Sequence, residues 1–212
     1  MTEQQSASRR LPEWTIMYAL HDAFRRDLDA MLAPNAGPAA VRARWAVFRD
    51  QLEFHHTAED EVMWPPVRAR LADDPDGLAL MDAMHDEHRL IDSLLAAVDD
   101  ALADEAGQAR LADALSSLRT VLASHLAHEE TDALPLITRV MTTAGVAAIF
   151  KQLGRIGGLR NGLRRGAVMF PWALSGASPQ TQTQVISYLP PPARLLYRAV
   201  WLPRYRRRTS PR

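Results

Sequence analysis

Two histidine–glutamate pairs have the spacing that metal chemistry needs. His55 precedes Glu59 by four residues, and His125 precedes Glu129 by four. Side chains four residues apart on an α-helix lie on one face, one turn from each other. A neutral imidazole and a carboxylate placed in this way can bind the same ion, so each pair is a candidate metal-binding motif.

The two pairs belong to an internal repeat. The second pair follows the first by 70 residues, and a proline stands ten residues after each histidine, at Pro65 and Pro135. A single histidine, His21 or His88, opens each copy, followed three residues later by an apolar residue and seven residues later by leucine. We therefore predict a two-helix unit present twice, each copy offering one histidine from its first helix and a histidine–glutamate pair from its second.

Composition limits the classes of protein and site. The chain has 212 residues, is 47% hydrophobic, and is long enough for one domain with an appendage. It contains no cysteine, which excludes disulfides, thiolate metal sites and cysteine nucleophiles and leaves nitrogen and oxygen as metal ligands. The sequence shows neither a signal-peptide core nor a long apolar run, so we expect no membrane-spanning helix and a cytoplasmic location.

Charge is divided unevenly along the chain. All 25 acidic residues lie at or before Asp132, whereas 13 basic residues and no acidic ones follow it. This asymmetry indicates an anionic partner for the tail, either a membrane surface or an acidic protein. A basic tail lying on the acidic part of the chain is the alternative. No nucleic-acid-reading motif is visible, so we expect no nucleic-acid partner.

Apolar residues at steps of three and four predict four long helices. Their predicted ranges are 13–32, 39–63, 78–102 and 109–134. His55 and Glu59 fall on the apolar face of the second helix, where an unpaired carboxylate is costly. Four long helices with short links predict an all-α, antiparallel up-down-up-down bundle over residues 12–140, with the histidines converging inside it.

The ends of the chain differ from this bundle in character. Residues 1–12 are polar, and we predict that they are disordered. Residues 141–212 are predicted to form a basic, partly helical extension, with a loop at 169–176 and short helices at 179–189 and 193–201. Aromatic residues predict that the extension packs against other residues; they are Phe170, Trp172, Tyr188, Tyr197 and Trp201.

The repeat supplies six candidate ligands for two metal ions. They are His21, His55, Glu59, His88, His125 and Glu129. Each ion would take histidines from one pair of helices, and the two carboxylates would bridge. Imidazole and carboxylate without thiolate favour iron or manganese in a redox role, and zinc otherwise. A metal-free bundle in which these side chains satisfy one another is the alternative.

The motif H…HxxxE…H…HxxxE, with its two prolines, resembles the hemerythrin-like (HHE cation-binding) proteins, particularly bacterial and mycobacterial members. The resemblance covers about residues 12–140. It implies a four-helix bundle holding two non-haem iron ions with oxo or hydroxo and carboxylate bridges. It also implies interaction with O2, nitric oxide or peroxide. The extension resembles those of some actinobacterial members, to which no function is attached.

The chain departs from the oxygen-carrying members at two positions. The carriers have a third-helix histidine pair four residues apart, but Met84 stands four before His88, and the nearest histidine is His85. His85 is therefore either a ligand or an outer residue. The carriers place their last carboxylate five residues after the last histidine, where this chain has Glu130. The internal repeat instead favours Glu129, and Glu130 is the alternative ligand.

Three further side chains leave alternatives open. Tyr18 matches His85 in the repeat, and is either a core tyrosine, a hydrogen-bond donor to the metal site or a ligand. His56 and His128 point away from the predicted ligand axis. We expect His56 at an outer or surface position. His128, one turn after His125, either donates to a ligand carboxylate or has no role in the site.

The small number of histidines also bears on function. Fewer histidines around two ions leave more open coordination positions, so we expect redox chemistry on peroxide or nitric oxide rather than reversible oxygen carriage. An oxidoreductase that consumes either molecule fits this expectation. The alternative is an iron- or oxygen-binding, sensing or storage module whose basic tail contacts a membrane or an acidic partner.

Overall fold

The computed structural model describes residues 12–104, 108–156 and 158–209, and within these ranges every regular element is helical. The prediction of an all-α chain is confirmed for these residues. The predicted disorder of residues 1–12 falls outside the described residues, apart from Pro12.

The helices of the predicted bundle region follow the apolar periodicity closely. After one 3-10 turn at the start they are α1 (Thr15–Met31), α2 (Pro38–Ala58), α3 (Trp64–Arg70), α4 (Pro75–Ala103), α5 (Gln108–His128) and α6 (Leu134–Val140). The start of α4 shows how the sequence fixes a helix end. Asp74 caps it by accepting a 2.9 Å hydrogen bond from the amide of Gly77, and Pro75 occupies the first turn, where its missing N–H costs nothing.

The C-terminal extension is also helical. Its elements are α7 (Thr143–Leu153), α8 (Gly158–Leu174), α9 (Pro179–Tyr188), α10 (Pro191–Leu196) and α11 (Leu202–Thr209). The loop predicted at 169–176 is wrong for most of its length, because α8 continues through Pro171. Trp172 and Leu174, which follow this proline, are almost completely buried, and their burial offsets the cost of a proline inside a helix.

Among the described residues, three five-residue π-turns widen the helical path. They lie at Glu59–Met63, Glu129–Ala133 and Tyr197–Trp201. In each, the amide of the next residue donates to the carbonyl of the first residue of the turn, and a proline follows one position later. Proline lacks the amide that α-helical pairing would use, and its ring collides with the carbonyl four residues earlier. The extra residue of a π-turn relieves that collision, so the helix continues. The second helix, predicted to end before Pro65, therefore runs on to Arg70.

The chain folds into two compact units. One is Phe24–Phe150; the other combines the described residues through Ala23 with those from Lys151 onward. The predicted domain boundary after residue 140 stays a prediction.

Within Phe24–Phe150, helices pack through apolar faces that charged pairs flank. The ring of Phe48 lies 5.5 Å from those of Phe24 and Trp45. Asp99 of α4 accepts a 2.7 Å hydrogen bond from the indole N–H of Trp45 and forms a 2.6 Å ion pair with Arg49. Both of these partners lie on α2. α4 also packs along α5. These contacts make this unit a helical bundle.

The other unit has an apolar cluster of its own. Its buried members are Ala19, Leu174, Val185, Leu189, Tyr197 and Trp201. The prediction that the extension packs against other residues is therefore confirmed: Trp172, Tyr197 and Trp201 are buried, whereas Tyr188 is 56% exposed. Tyr188 is the last residue of α9, where its ring can extend into solvent.

Within the described ranges, no single helix combines the length and apolar character needed to cross a membrane. One bent pair, Ala109–Val140 with Thr143–Leu153, meets that requirement only jointly, by length and composition.

Candidate metal centre

Three histidines from three helices meet in the interior of the unit Phe24–Phe150. His56 of α2, His88 of α4 and His125 of α5 are all buried, and each offers a ligand atom within 4.8 Å of the others. The His56 ring stacks on that of His88 at 4.1 Å and meets the His125 ring edge-on at 5.3 Å. This histidine triad presents only nitrogen ligands.

A buried carboxylate connects this triad to a fourth histidine. Glu59 opens the first π-turn, directly after α2, and is 2% exposed. Its Oε1 lies 3.2 Å from Nε2 of His55, and its Oε2 lies 3.4 Å from Nε2 of His88. The two oxygens of one carboxylate thus face two different histidines, which is the arrangement of a bridging ligand.

A second buried carboxylate lies beside the first. Glu129 opens the second π-turn, is completely buried, and has a ligand atom within 4.8 Å of one on His55. Burial and then the negative charge of Glu129 raise the pKa of Glu59 well above its ordinary value. Two carboxylates held this close in the interior repel each other unless a proton or a cation compensates them.

The side chains fit metal ions in type and spacing. Two ligands about 2.1 Å from a common ion lie at most about 4.2 Å apart, so atoms within 4.8 Å need to move only slightly. Both oxygens of Glu59 and the Nε2 atoms of His88 and His125 are buried, and no described group forms a hydrogen bond with them. Such atoms are costly to bury without a partner, and a cation would supply one.

Carboxylates contact the Nδ1 atoms of two candidate ligand histidines, on the side of each ring away from the centre. Nδ1 of His88 donates to Asp60 at 3.1 Å, and Nδ1 of His125 donates to Glu87 at 2.8 Å. An ionised carboxylate only accepts, so it fixes the proton on Nδ1 and leaves the lone pair of Nε2 directed at the centre. Burial raises the pKa values of Asp60 and Glu87, but their histidine partners outweigh it and hold both pKa values below the ordinary range. Both carboxylates are therefore charged at neutral pH.

Comparison with known proteins agrees with this geometry. Residues 14–137, more than half of the chain, match the family model described as the hemerythrin HHE cation binding domain. The chain belongs to the hemerythrin HHE cation-binding family. No curated protein and no solved structure gave a significant match.

The hemerythrin domain brings together five of the six predicted ligands. These are His55, Glu59, His88, His125 and Glu129, all of them buried in the unit Phe24–Phe150. The sixth, His21, is completely buried on α1 and belongs to the other unit, as does the buried Tyr18. The ligand roles of His21 and Tyr18 stay predictions.

The two alternative ligands of the hemerythrin domain make contacts of other kinds. His85 has a 57% exposed side chain, and its Nδ1 lies 3.4 Å from Asp60. Glu130 forms a 2.8 Å ion pair with Arg25 of α1. The ion pair of Glu130 favours Glu129 as the ligand. The exposure of His85 and its contact with Asp60 indicate that His85 lies outside the group of candidate ligands.

One member of the hemerythrin site was missed. His56 was expected at an outer or surface position, and the structure corrects this, because His56 is 4% exposed and belongs to the histidine triad. The sequence contained a usable signal. Met84 leaves the third helix without the histidine that carriers have four residues before His88, and a second histidine beside His55 can supply the missing nitrogen. His128 is half-buried and donates to a carboxylate at 2.8 Å, but this carboxylate is Glu87, which is not one of the predicted ligands.

Removing either outer carboxylate should weaken metal binding without touching a ligand. We expect Asp60→Asn and Glu87→Gln each to lower metal affinity by about 10- to 100-fold, because an amide can donate to Nδ1 and so favour the wrong tautomer. Competition with a chelator measures the affinity. Asp82→Asn is the matched control, since Asp82 is exposed and pairs only with Arg68. Unchanged affinity in both variants would show that these carboxylates do not orient the histidines.

Proposed function

We propose that this hemerythrin domain is a non-haem di-iron protein that binds O2, nitric oxide or peroxide and uses the ion pair in redox chemistry. One observation supports this above all: Glu59 directs one oxygen to His55 and the other to His88, 3.2 and 3.4 Å away. A carboxylate in this position can join two ions, one on each side.

The ligands divide between the two ions as two unequal sets. His56, His88 and His125 would hold one ion, His21 and His55 would hold the other, and Glu59 and Glu129 would serve both. The place of His21 is supported by α1 itself. His21 precedes Phe24 by three residues, so both lie on one helix face, and the Phe24 ring is 5.4 Å from the ring of His55.

We also propose the antiparallel four-helix arrangement, formed by α1, α2, α4 and α5. Arg44 of α2 pairs with Asp27 of α1 at 2.7 Å, and Arg119 of α5 pairs with Asp29 of α1 at 2.7 Å. Short links between successive helices favour antiparallel neighbours. In this arrangement the π-turns of the second and fourth helices present Glu59 and Glu129 to one another.

The unequal ligand sets bear on the chemistry. His56 brings the proposed number of histidines to five, so the argument that too few histidines leave positions open no longer applies to both ions. Fewer histidines would hold the ion beside His55 than the ion beside His88, so we propose the His55 side of the centre as the position for a small oxidant. When bound, a pair of iron ions supplies one-electron steps and an open coordination position. The protein contributes fixed imidazole orientation through Asp60 and Glu87, and an interior closed by aromatic rings such as Phe24.

Metal analysis tests the proposal directly. Protein expressed with abundant iron should contain about two iron ions per chain and absorb in the visible region, and the absorption should change when nitric oxide or peroxide is added. The exposed variant His85→Ala should behave like the unmodified protein, whereas His88→Ala should lose metal and absorption together. Less than one metal ion per chain, or a spectrum that neither reagent changes, would overturn the proposal.

A further inference from the structure

The third π-turn lies far from the metal centre in sequence but repeats its local design. The first two π-turns begin with Glu59 and Glu129, the buried carboxylates of the proposed centre. The third begins with Tyr197, which is 2% exposed, and it too is followed by a residue and then a proline. π-turns inside helices often coincide with functional sites. In this chain each one places a buried polar side chain at its first position.

Tyr197 lines a cavity of about 150 Å³ within the C-terminal extension. This volume corresponds to about five water molecules at liquid density, which is enough for a single oxyanion group. Burial raises the pKa of Tyr197, against the opposing charge of Arg206, so the phenol is neutral and can donate. The hydroxyl therefore gives the cavity wall a hydrogen-bond donor.

The walls of the cavity favour a negatively charged acceptor. Arg206, Ser175 and Tyr205 contribute groups that donate hydrogen bonds, and no carboxylate lines the cavity. The extension itself is strongly basic, because residues 133–212 contain 13 basic residues and no aspartate or glutamate. Arginine is well suited to oxyanions, since its planar guanidinium can donate two parallel hydrogen bonds.

One wall is held rigidly by a glycine turn. Gly176 has a φ of +86°, a left-handed conformation that glycine adopts without strain. The side-chain amide of Gln182 donates to the carbonyl of Ala177 at 2.8 Å and, more weakly, to that of Leu174 at 3.4 Å. The cavity is therefore preformed between this turn and the helix that carries Tyr197.

We propose that this cavity binds a small oxyanion, a phosphate or carboxylate group, between the hydroxyl of Tyr197 and the guanidinium of Arg206. The site is independent of the proposed metal chemistry. The same oxyanion can come from free phosphate or from the headgroup of an anionic lipid, and both sources present the same chemistry to the cavity.

Binding measurements on the full chain distinguish the sources. Inorganic phosphate and acetate are titrated calorimetrically, and phosphatidylglycerol vesicles are compared with phosphatidylcholine vesicles by sedimentation. We expect saturable binding of one anion per chain, or selective sedimentation with phosphatidylglycerol. Tyr197→Phe and Arg206→Gln should each weaken it by about tenfold, the usual effect of one charge-assisted hydrogen bond. Arg207→Gln is the matched control, because Arg207 is exposed and does not line the cavity.

The outcomes separate clearly. Phosphate binding identifies a free anion as a source, and binding to phosphatidylglycerol alone identifies the lipid; either supports the proposal when Tyr197→Phe and Arg206→Gln reduce it. Tyr197→Phe removes only a hydroxyl, so it tests the site without disturbing the fold, and thermal unfolding checks this. Absence of binding at millimolar phosphate or acetate and with both vesicles, or variants that bind like the unmodified protein, would overturn the proposal.

Discussion

The variant Glu59→Gln should lose both ions of the proposed pair. In the absence of metal, however, the variant should be more stable than the unmodified chain. Glutamine has nearly the same shape as glutamate but cannot carry the charge that bridges two cations, so metal content should fall from about two ions per chain to less than one. In the metal-free protein the same substitution removes one of two adjacent buried carboxylates. We expect a gain of about 1–3 kcal/mol in the free energy of unfolding at neutral pH.

The gain should depend on pH in a defined direction. Burial and the charge of Glu129 raise the pKa of Glu59 in the folded protein. The folded state therefore binds this proton more tightly than the unfolded state, and the metal-free protein loses stability as pH rises through the folded-state pKa. Urea unfolding in the presence of a chelator, at acidic and at neutral pH, should show the variant's advantage growing toward neutral pH. Glu61→Gln, an exposed neighbour, should show neither effect.

The second large effect is expected at His56. His56→Phe keeps a ring stacked on His88 but removes both nitrogen atoms, so the triad falls to two histidines. We expect one of the two metal ions to be lost, with affinity at that position lowered by more than about 100-fold, the upper range for losing an outer partner of a ligand. Metal content after dialysis measures the stoichiometry.

His85→Ala supplies the contrast for this experiment. His85 is the other histidine that could replace the missing third-helix ligand, but its side chain is 57% exposed. The variant His85→Ala should therefore still bind two ions per chain. If His85→Ala loses an ion and His56→Phe keeps both, the assignment of the triad is wrong, and the outer position belongs to His56.

The repeat revealed the centre because its signal is local. His55, Glu59, His125 and Glu129 are spaced by one helical turn, and helical geometry alone places each pair on one face. The apolar residues around them give the direction of that face, so burial followed from the sequence. The match to the family model over residues 14–137 confirms the resemblance on which the expected iron chemistry depends.

Other features depend on neighbouring helices and could not be obtained in this way. His56 lies about 100° around the helix from His55, and only the positions of α4 and α5 decide that it faces His88 and His125. Asp60 accepts a hydrogen bond from His88 because the π-turn and α4 meet there, and the spacing of the repeat gives no sign of this contact. Contacts between helices set these roles, and a single sequence contains no direct record of them.

The prolines after the π-turns have a consequence for how the protein would take up the proposed ions. Pro65 and Pro135 remove the amides that would let the chain relax into regular α-helix, where each proline would cost roughly 3 kcal/mol. The π-turns therefore keep their conformation in the metal-free protein, and Glu59 and Glu129 are already positioned before an ion binds. Loading should then proceed at the pace of ion dehydration and proton release, with no refolding phase, as stopped-flow mixing of the apoprotein with ferrous iron can establish.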